Sequence, residues 1–221
     1  MNRASAPAVA VDVALFTVRD ATLQVLLVRA RHGPFPGWWA LPGGRVAESE
    51  SLDDAARREL RAQTGVTGAY LEQLYTFGSP TRDPRDRVVS VAYVGLLPAG
   101  PAARVALGSG KYADLAWTPA TRLPPLAYDH RTVVRTAVAR LRAKVQYTNL
   151  VYTLLPRAFT LGELQAVYEA ILGRGLDRRN FRKKVLSLPL LQRLPGTRRG
   201  AHRPAALYAF QRRRPLVTEV L

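Results

Sequence analysis

With 221 residues, 48% of them hydrophobic and 22% charged, the chain is long enough for two domains of ordinary size and has a globular composition. No apolar run approaches the roughly 18 residues a membrane span needs, and the lack of any cysteine excludes a disulfide framework or thiolate zinc site and points to a cytoplasmic protein. The formal net charge of +17 points instead to a polyanionic partner.

In chain order, residues 9–18 and 23–30 read as two strands around the tight turn Arg19-Asp20-Ala21-Thr22. Asp12 lies inside the first run, and no small-residue cleavage pattern follows it, so a strand is expected there and not a signal peptide. A loop rich in Gly, Pro and Trp covers Arg31 to Pro42. Ser51, with Asp54 three residues on, is an N-cap, and the helix it starts ends at Gly65. Val66 to Phe77 and Val88 to Leu97 read as strands around a charged loop at residues 81–87, and Leu115 to Thr118 as a short strand. Asp129 to Val145 is a helix with Val133, Val134, Ala137, Val138 and Leu141 on one face. The mixture without strict alternation predicts an α+β domain over residues 1–145.

Residues 146–221 change character. They hold 14 basic and 4 acidic residues, a net +10 on one third of the chain. With 29 Arg against 4 Lys, genome composition inflates arginine, but that accounts neither for the clustering nor for the scarcity of acids. Thr160-Leu161-Gly162-Glu163 is a capping box opening a helix to about Leu172, and Asp177 caps a further helix over Arg178 to Leu186. Extended pieces at Leu190 to Leu194 and Ala206 to Phe210 flank the basic loop Pro195 to Pro204. Helix, turn, basic helix and a basic-tipped hairpin is the order of a winged helix.

Gly44, Glu50, Arg58, Glu59, Leu60, Gly65 and Val66, seven of nine defined positions, fall at the spacing of the Nudix box, which this stretch resembles. Leu41-Pro42-Gly43-Gly44, the Arg82-Asp83-Pro84-Arg85 loop and Ala116-Trp117 extend the likeness to Nudix enzymes acting on ADP-ribose. The resemblance implies an α/β/α sandwich and an effector set of Arg29, Trp39, Gly43, Gly44, Arg45, Arg58, Glu59, Arg82, Asp83 and Arg85. In the family, helix carboxylates at i, i+3 and i+4 hold Mg²⁺ or Mn²⁺, and here those positions are Glu59, Ala62 and Gln63, a poor cage for a hard cation. No metal, required cofactor or catalytic residue is therefore expected. Several alternatives stay open: Gly43 and Gly44 serve a turn or a phosphate, Trp38 and Trp39 serve packing or a ligand, and Arg82, Asp83 and Arg85 are a solvated run or a ligand-facing loop. His32 and His130 read as isolated and non-catalytic.

On the helix over 178–186, Phe181, Val185 and Leu186 are expected to face the core, with Arg178, Arg179, Asn180, Arg182, Lys183 and Lys184 left to contact DNA. Arg198, Arg199, His202 and Arg203 are the wing candidates for backbone or minor-groove contact. Together with Leu154-Leu155-Pro156, Phe159-Thr160-Leu161 and Leu176-Asp177-Arg178-Arg179-Asn180-Phe181, these features resemble the NrtR family, Nudix-related transcriptional regulators of NAD metabolism. The resemblance implies a homodimer on palindromic operator DNA, repressing NAD synthesis or salvage genes and released by ADP-ribose or a related nucleotide. An active Nudix hydrolase with a nucleic-acid-binding tail, an RNA-associated hydrolase and a sugar-responsive regulator of the same layout are the alternatives.

Overall fold

Alternation along the first strand, β1 (Ala8–Arg19), sets the architecture. Its Val11, Val13 and Leu15 enter one hydrophobic cluster and its Ala14 and Phe16 another, so both faces of the strand are covered. A computed structural model describes residues 6–100, 104–108, 110–198, 204–218 and 220. β1 turns through Asp20 and Ala21, both at positive φ (48° and 53°), into β2 (Thr22–Ala30), the geometry of a two-residue hairpin turn.

β3 (Trp39–Ala40), β4 (Gly43–Arg45), β5 (Tyr70–Phe77), β6 (Val88–Leu96) and β7 (Tyr112–Pro119) complete a seven-stranded sheet of order β3-β2-β1-β6-β5, with β4 on β1 and β7 on β2. Only β1 and β6 run parallel among these pairs. α1 (Leu52–Thr64) covers one face and α2 (His130–Tyr147) the other, giving the α/β/α sandwich. β5 starts four residues later than its apolar pattern suggested, because Gly65 and Gly68 both take positive φ and break the extended run. Asp129 precedes α2 but does not cap it, since its carboxylate is taken by Arg82.

Beyond a 3₁₀ turn at Leu150–Thr153, the chain forms β8 (Phe159–Thr160), α3 (Leu161–Leu172), α4 (Arg178–Ser187), β9 (Leu191–Arg198) and β10 (Ala205–Phe210), with strand order β8-β10-β9. This is a winged helix, and it has no separate core. Leu164, Tyr168, Phe181 and Phe210 join Phe16, Leu27 and Leu141 in one continuous cluster, so α3 closes over α2 and the sandwich. The final residues run back along the end of α2: Thr218 and Val220 donate to the carbonyls of Tyr147 and Gln146, and Asn149 exchanges bonds with Arg214 and Leu216.

Candidate effector cavity and nucleic-acid interface

A cavity of about 370 Å³ opens where β4, the loop after β2, the loop before β6 and the start of α2 meet. Gly43, Gly44, Arg45, Arg82, Asp83 and Arg85 line it, so the structure brings six of the ten effector candidates together. Arg29, Trp39, Arg58 and Glu59 are absent from the lining. Arg29 lies over the Trp39 ring and pairs with Asp114, and Trp39 packs on the core. Arg58 and Glu59 belong to the floor behind the cavity.

The two glycines are needed for close approach. Neither has positive φ. A Cβ at Gly43 would lie 2.3 Å from the Val11 carbonyl, and one at Gly44 would lie 2.3 Å from Glu59 Oε1, so β4 sits directly on β1 and α1. Behind it, Arg58 grips Glu50 with Nε and Nη2 at 2.8 and 2.5 Å and reaches the Arg45 carbonyl at 3.1 Å, fixing the loop to the helix. Those bonds, with that from the Ala47 N–H, lower the Glu50 pKa to about 2.

Arg82 is buried and paired with two carboxylates. It donates to Asp12 at 3.0 Å and to both oxygens of Asp129 at 3.0 and 2.8 Å. Burial alone would raise Asp12, but His130, Arg82 and Ser90 hold its carboxyl well below the usual range. His130 is far from isolated. Its Nδ1 accepts from the Leu41 N–H at 2.9 Å, which leaves Nε2 as the N–H facing Asp12 Oδ1 at 3.2 Å. Arg85 pairs with Asp83 and touches the Tyr128 hydroxyl at 3.2 Å, and Arg45 pairs with Asp86. Tyr128 itself holds φ +54°, with its ring edge-on to Phe35 at 4.8 Å; a strained non-glycine residue at a cavity wall is a mark of a working site.

Sequence reasoning missed Asp12, Phe35, Lys111, Tyr112, Tyr128 and His130, all of which line the cavity. An acid buried in the first apolar strand was the available signal for Asp12. The others come from distant loops and have no local pattern.

The cation-holding residues of a Nudix enzyme do not fit a metal here. Glu59 spends its oxygens on Arg58 and Gln63, Glu50 spends its own on Arg58 and Ala47, and Ala62 offers none. Among the described residues no three His, Cys, Asp or Glu side chains converge as a metal site.

In the winged helix, Asp177 accepts from the Asn180 N–H at 2.7 Å, and Gln165 and Glu169 hold the preceding turn through the Leu176 backbone. Phe181 and Val185 are buried, and Phe181 meets Tyr168 edge-on at 5.4 Å. Leu186 is 48% exposed, against expectation: it lies five residues from Phe181, beyond the stripe that i and i+4 share. Arg178, Arg179, Asn180, Arg182 and Lys183 are exposed and Lys184 half-buried. No ion pair ties any of these cations within the described residues. Arg198 is different, being paired with Glu163 and bonded to the Ala158 carbonyl at 3.0 Å. It braces the hairpin against α3. Arg199, His202 and Arg203 lie outside the described residues.

A Nudix sandwich and a winged helix built on one core define a two-domain protein of the Nudix-plus-winged-helix class. The comparisons are specific. A NUDIX domain signature matches residues 7–137 and an NrtR DNA-binding winged helix domain signature matches residues 151–210. The chain is 35% identical over 92% of its length to the ADPR responsive transcriptional repressor NtrR of Acinetobacter baylyi, covering 82% of that protein. It is similar to the crystal structure of Shewanella oneidensis NrtR complexed with a 27mer DNA, at 36% identity and a TM-score of 0.79, covering 92% of this chain and 93% of that one. The NUDIX domain of the same Shewanella protein complexed with ADP ribose matches at 37% identity and a TM-score of 0.57, covering 62% of this chain and 90% of that one. The chain belongs to the NrtR family.

Proposed function

We propose that this protein is a transcriptional repressor that binds operator DNA through α4 and is released when ADP-ribose occupies the cavity. The observation that carries the reading is a nucleotide-sized cavity, lacking the carboxylates that would hold a hydrolytic metal, built into the same core as a helix with a free cationic face. A sensor benefits from that combination, because an effector destroyed on binding cannot report its own concentration. The relatives named above, one ADPR-responsive and one crystallised with DNA and, as its Nudix domain, with ADP ribose, support the same assignment.

In this reading Gly43, Gly44, Arg45 and the Arg82-Asp83-Pro84-Arg85 loop receive the diphosphate. Arg178, Arg179, Asn180, Arg182 and Lys183 enter the major groove, and Lys184 meets phosphate. Residues 1–145 sense and 146–221 read. The protein acts as a homodimer because paired half-sites demand a two-fold axis, and its genes are those of NAD synthesis or salvage. It does not hydrolyse ADP-ribose at an enzyme-like rate. The test is calorimetric binding of ADP-ribose followed by its recovery after incubation with Mg²⁺ or Mn²⁺: tight binding with intact nucleotide is expected. Turnover in the usual enzymatic range, roughly 1 to 10³ s⁻¹, would overturn the reading.

A further inference from the structure

Position 63 on α1 faces a backbone donor and a backbone acceptor together. Gln63 Oε1 accepts from the Gly43 N–H at 3.2 Å, and Gln63 Nε2 donates to the Gly43 carbonyl at 2.8 Å. The same amide nitrogen donates to Glu59 Oε2, so both of its hydrogens are used, and the residue is 2% exposed. A carboxylate there could only accept. It would set one oxygen against the Gly43 carbonyl and the Glu59 carboxylate, and three oxygens facing one another in a buried site require a cation between them.

We propose that Gln63 takes the place of the divalent cation in ordering the Gly43–Arg45 floor of the cavity, so that this chain binds a phosphate-bearing nucleotide without Mg²⁺ or Mn²⁺. The nucleotide half of this rests on the effector reading above; the ordering half does not. The packing of Glu59 Oε1 where a Cβ at Gly44 would fall supports it, since that carboxylate lies directly against β4. The remaining Glu59 oxygen is held by Gln63, and Arg58 holds the Arg45 carbonyl from behind. The β4 strand is thereby fixed on α1 by hydrogen bonds alone. Gln63 is a positioning residue, acting on ligand through the backbone it holds.

The test compares the natural chain, Gln63→Glu and Gln63→Leu by thermal unfolding in EDTA and in Mg²⁺ or Mn²⁺, with ADP-ribose calorimetry under the same conditions. For the natural chain, neither melting temperature nor affinity should depend on the cation beyond about twofold in Kd. Gln63→Glu should melt lower in EDTA and recover with either cation, its ADP-ribose affinity changing about tenfold or more between the two conditions. Gln63→Leu, which loses the bonds without gaining a charge, should melt lower in both with no recovery. A natural chain whose affinity or stability needs the cation overturns the proposal, and so does a Gln63→Glu protein indifferent to it. If ADP-ribose binds none of the proteins, the effector reading fails while the melting curves still judge the clamp.

Discussion

Asp12 lies on the buried strand β1 and is held by Arg82, His130 and Ser90, three partners brought from a loop, the start of a helix and a strand remote in sequence. Replacing it with Asn leaves the Arg82 charge buried with only Asp129, and breaking a buried pair on one side costs about 3–5 kcal/mol. The pH dependence follows from the direction of its shift. A carboxyl whose folded pKa is depressed contributes stability fully above its ordinary value of 3.8, and that contribution is lost as pH falls below it towards the folded value. Asp12→Asn should therefore lower stability at neutral pH and flatten the acid limb of the stability curve; an unchanged acid limb would remove Asp12 from the role. Gly44→Ala is the second residue-scale case. Its Cβ would fall 2.3 Å from Glu59 Oε1, so the Glu59 carboxylate must swing aside and give up its bonds to Arg58 and Gln63, at a cost of about 1–3 kcal/mol. Chemical denaturation should read that loss and calorimetry a parallel loss of ADP-ribose affinity.

At the scale of elements, α4 separates two tasks by helical position. Phe181 and Val185 anchor it, and Phe181→Ala should cost about 3–5 kcal/mol of stability. Arg178, Arg179 and Asn180 at its N-terminal end are exposed, and replacing one that reads a base should cost about 1–3 kcal/mol of operator affinity and relax preference at one position. Lys184→Ala should weaken all duplexes alike and reduce the salt slope by about 1. Operator titrations over a salt series check all of these, and unchanged affinity in every variant would remove α4 from the groove.

Elements of this kind were readable because their signals are local. Ser51, Thr160 and Asp177 all cap through the N–H three residues on, and Gly65 ends α1 in the left-handed region, as their types predicted. The short strands β3, β4 and β8 were not readable, since two or three residues carry no period. The cavity was half legible for the same reason. Its glycines and the Arg82–Arg85 loop stand in a spaced motif, whereas Tyr128 and His130 reach it only because α2 begins there. The pairing of Arg198 with Glu163 was not readable either, since the two lie 35 residues apart and meet only when the hairpin folds against α3.

Over the whole molecule, the sandwich and the winged helix share one core, and the proposed release by effector would run through it. α2 starts in the cavity wall at His130 and ends beneath the returning tail, with α3 packed along it. A ligand that shifts the start of α2 is thus felt by the helix pair that places α4, and in a dimer a small change of angle alters the half-site spacing that the duplex fixes. Coupling requires that ADP-ribose favour the DNA-incompetent arrangement. The measurement that tests this most directly is operator titration at constant salt, with and without saturating ADP-ribose, and with AMP, ribose 5-phosphate and arabinose as controls. ADP-ribose alone should weaken operator binding by about 5- to 150-fold, the span of a 1–3 kcal/mol coupling. Equal operator affinity with the cavity occupied would contradict the coupling, and release by arabinose alone would place the protein among sugar-responsive regulators.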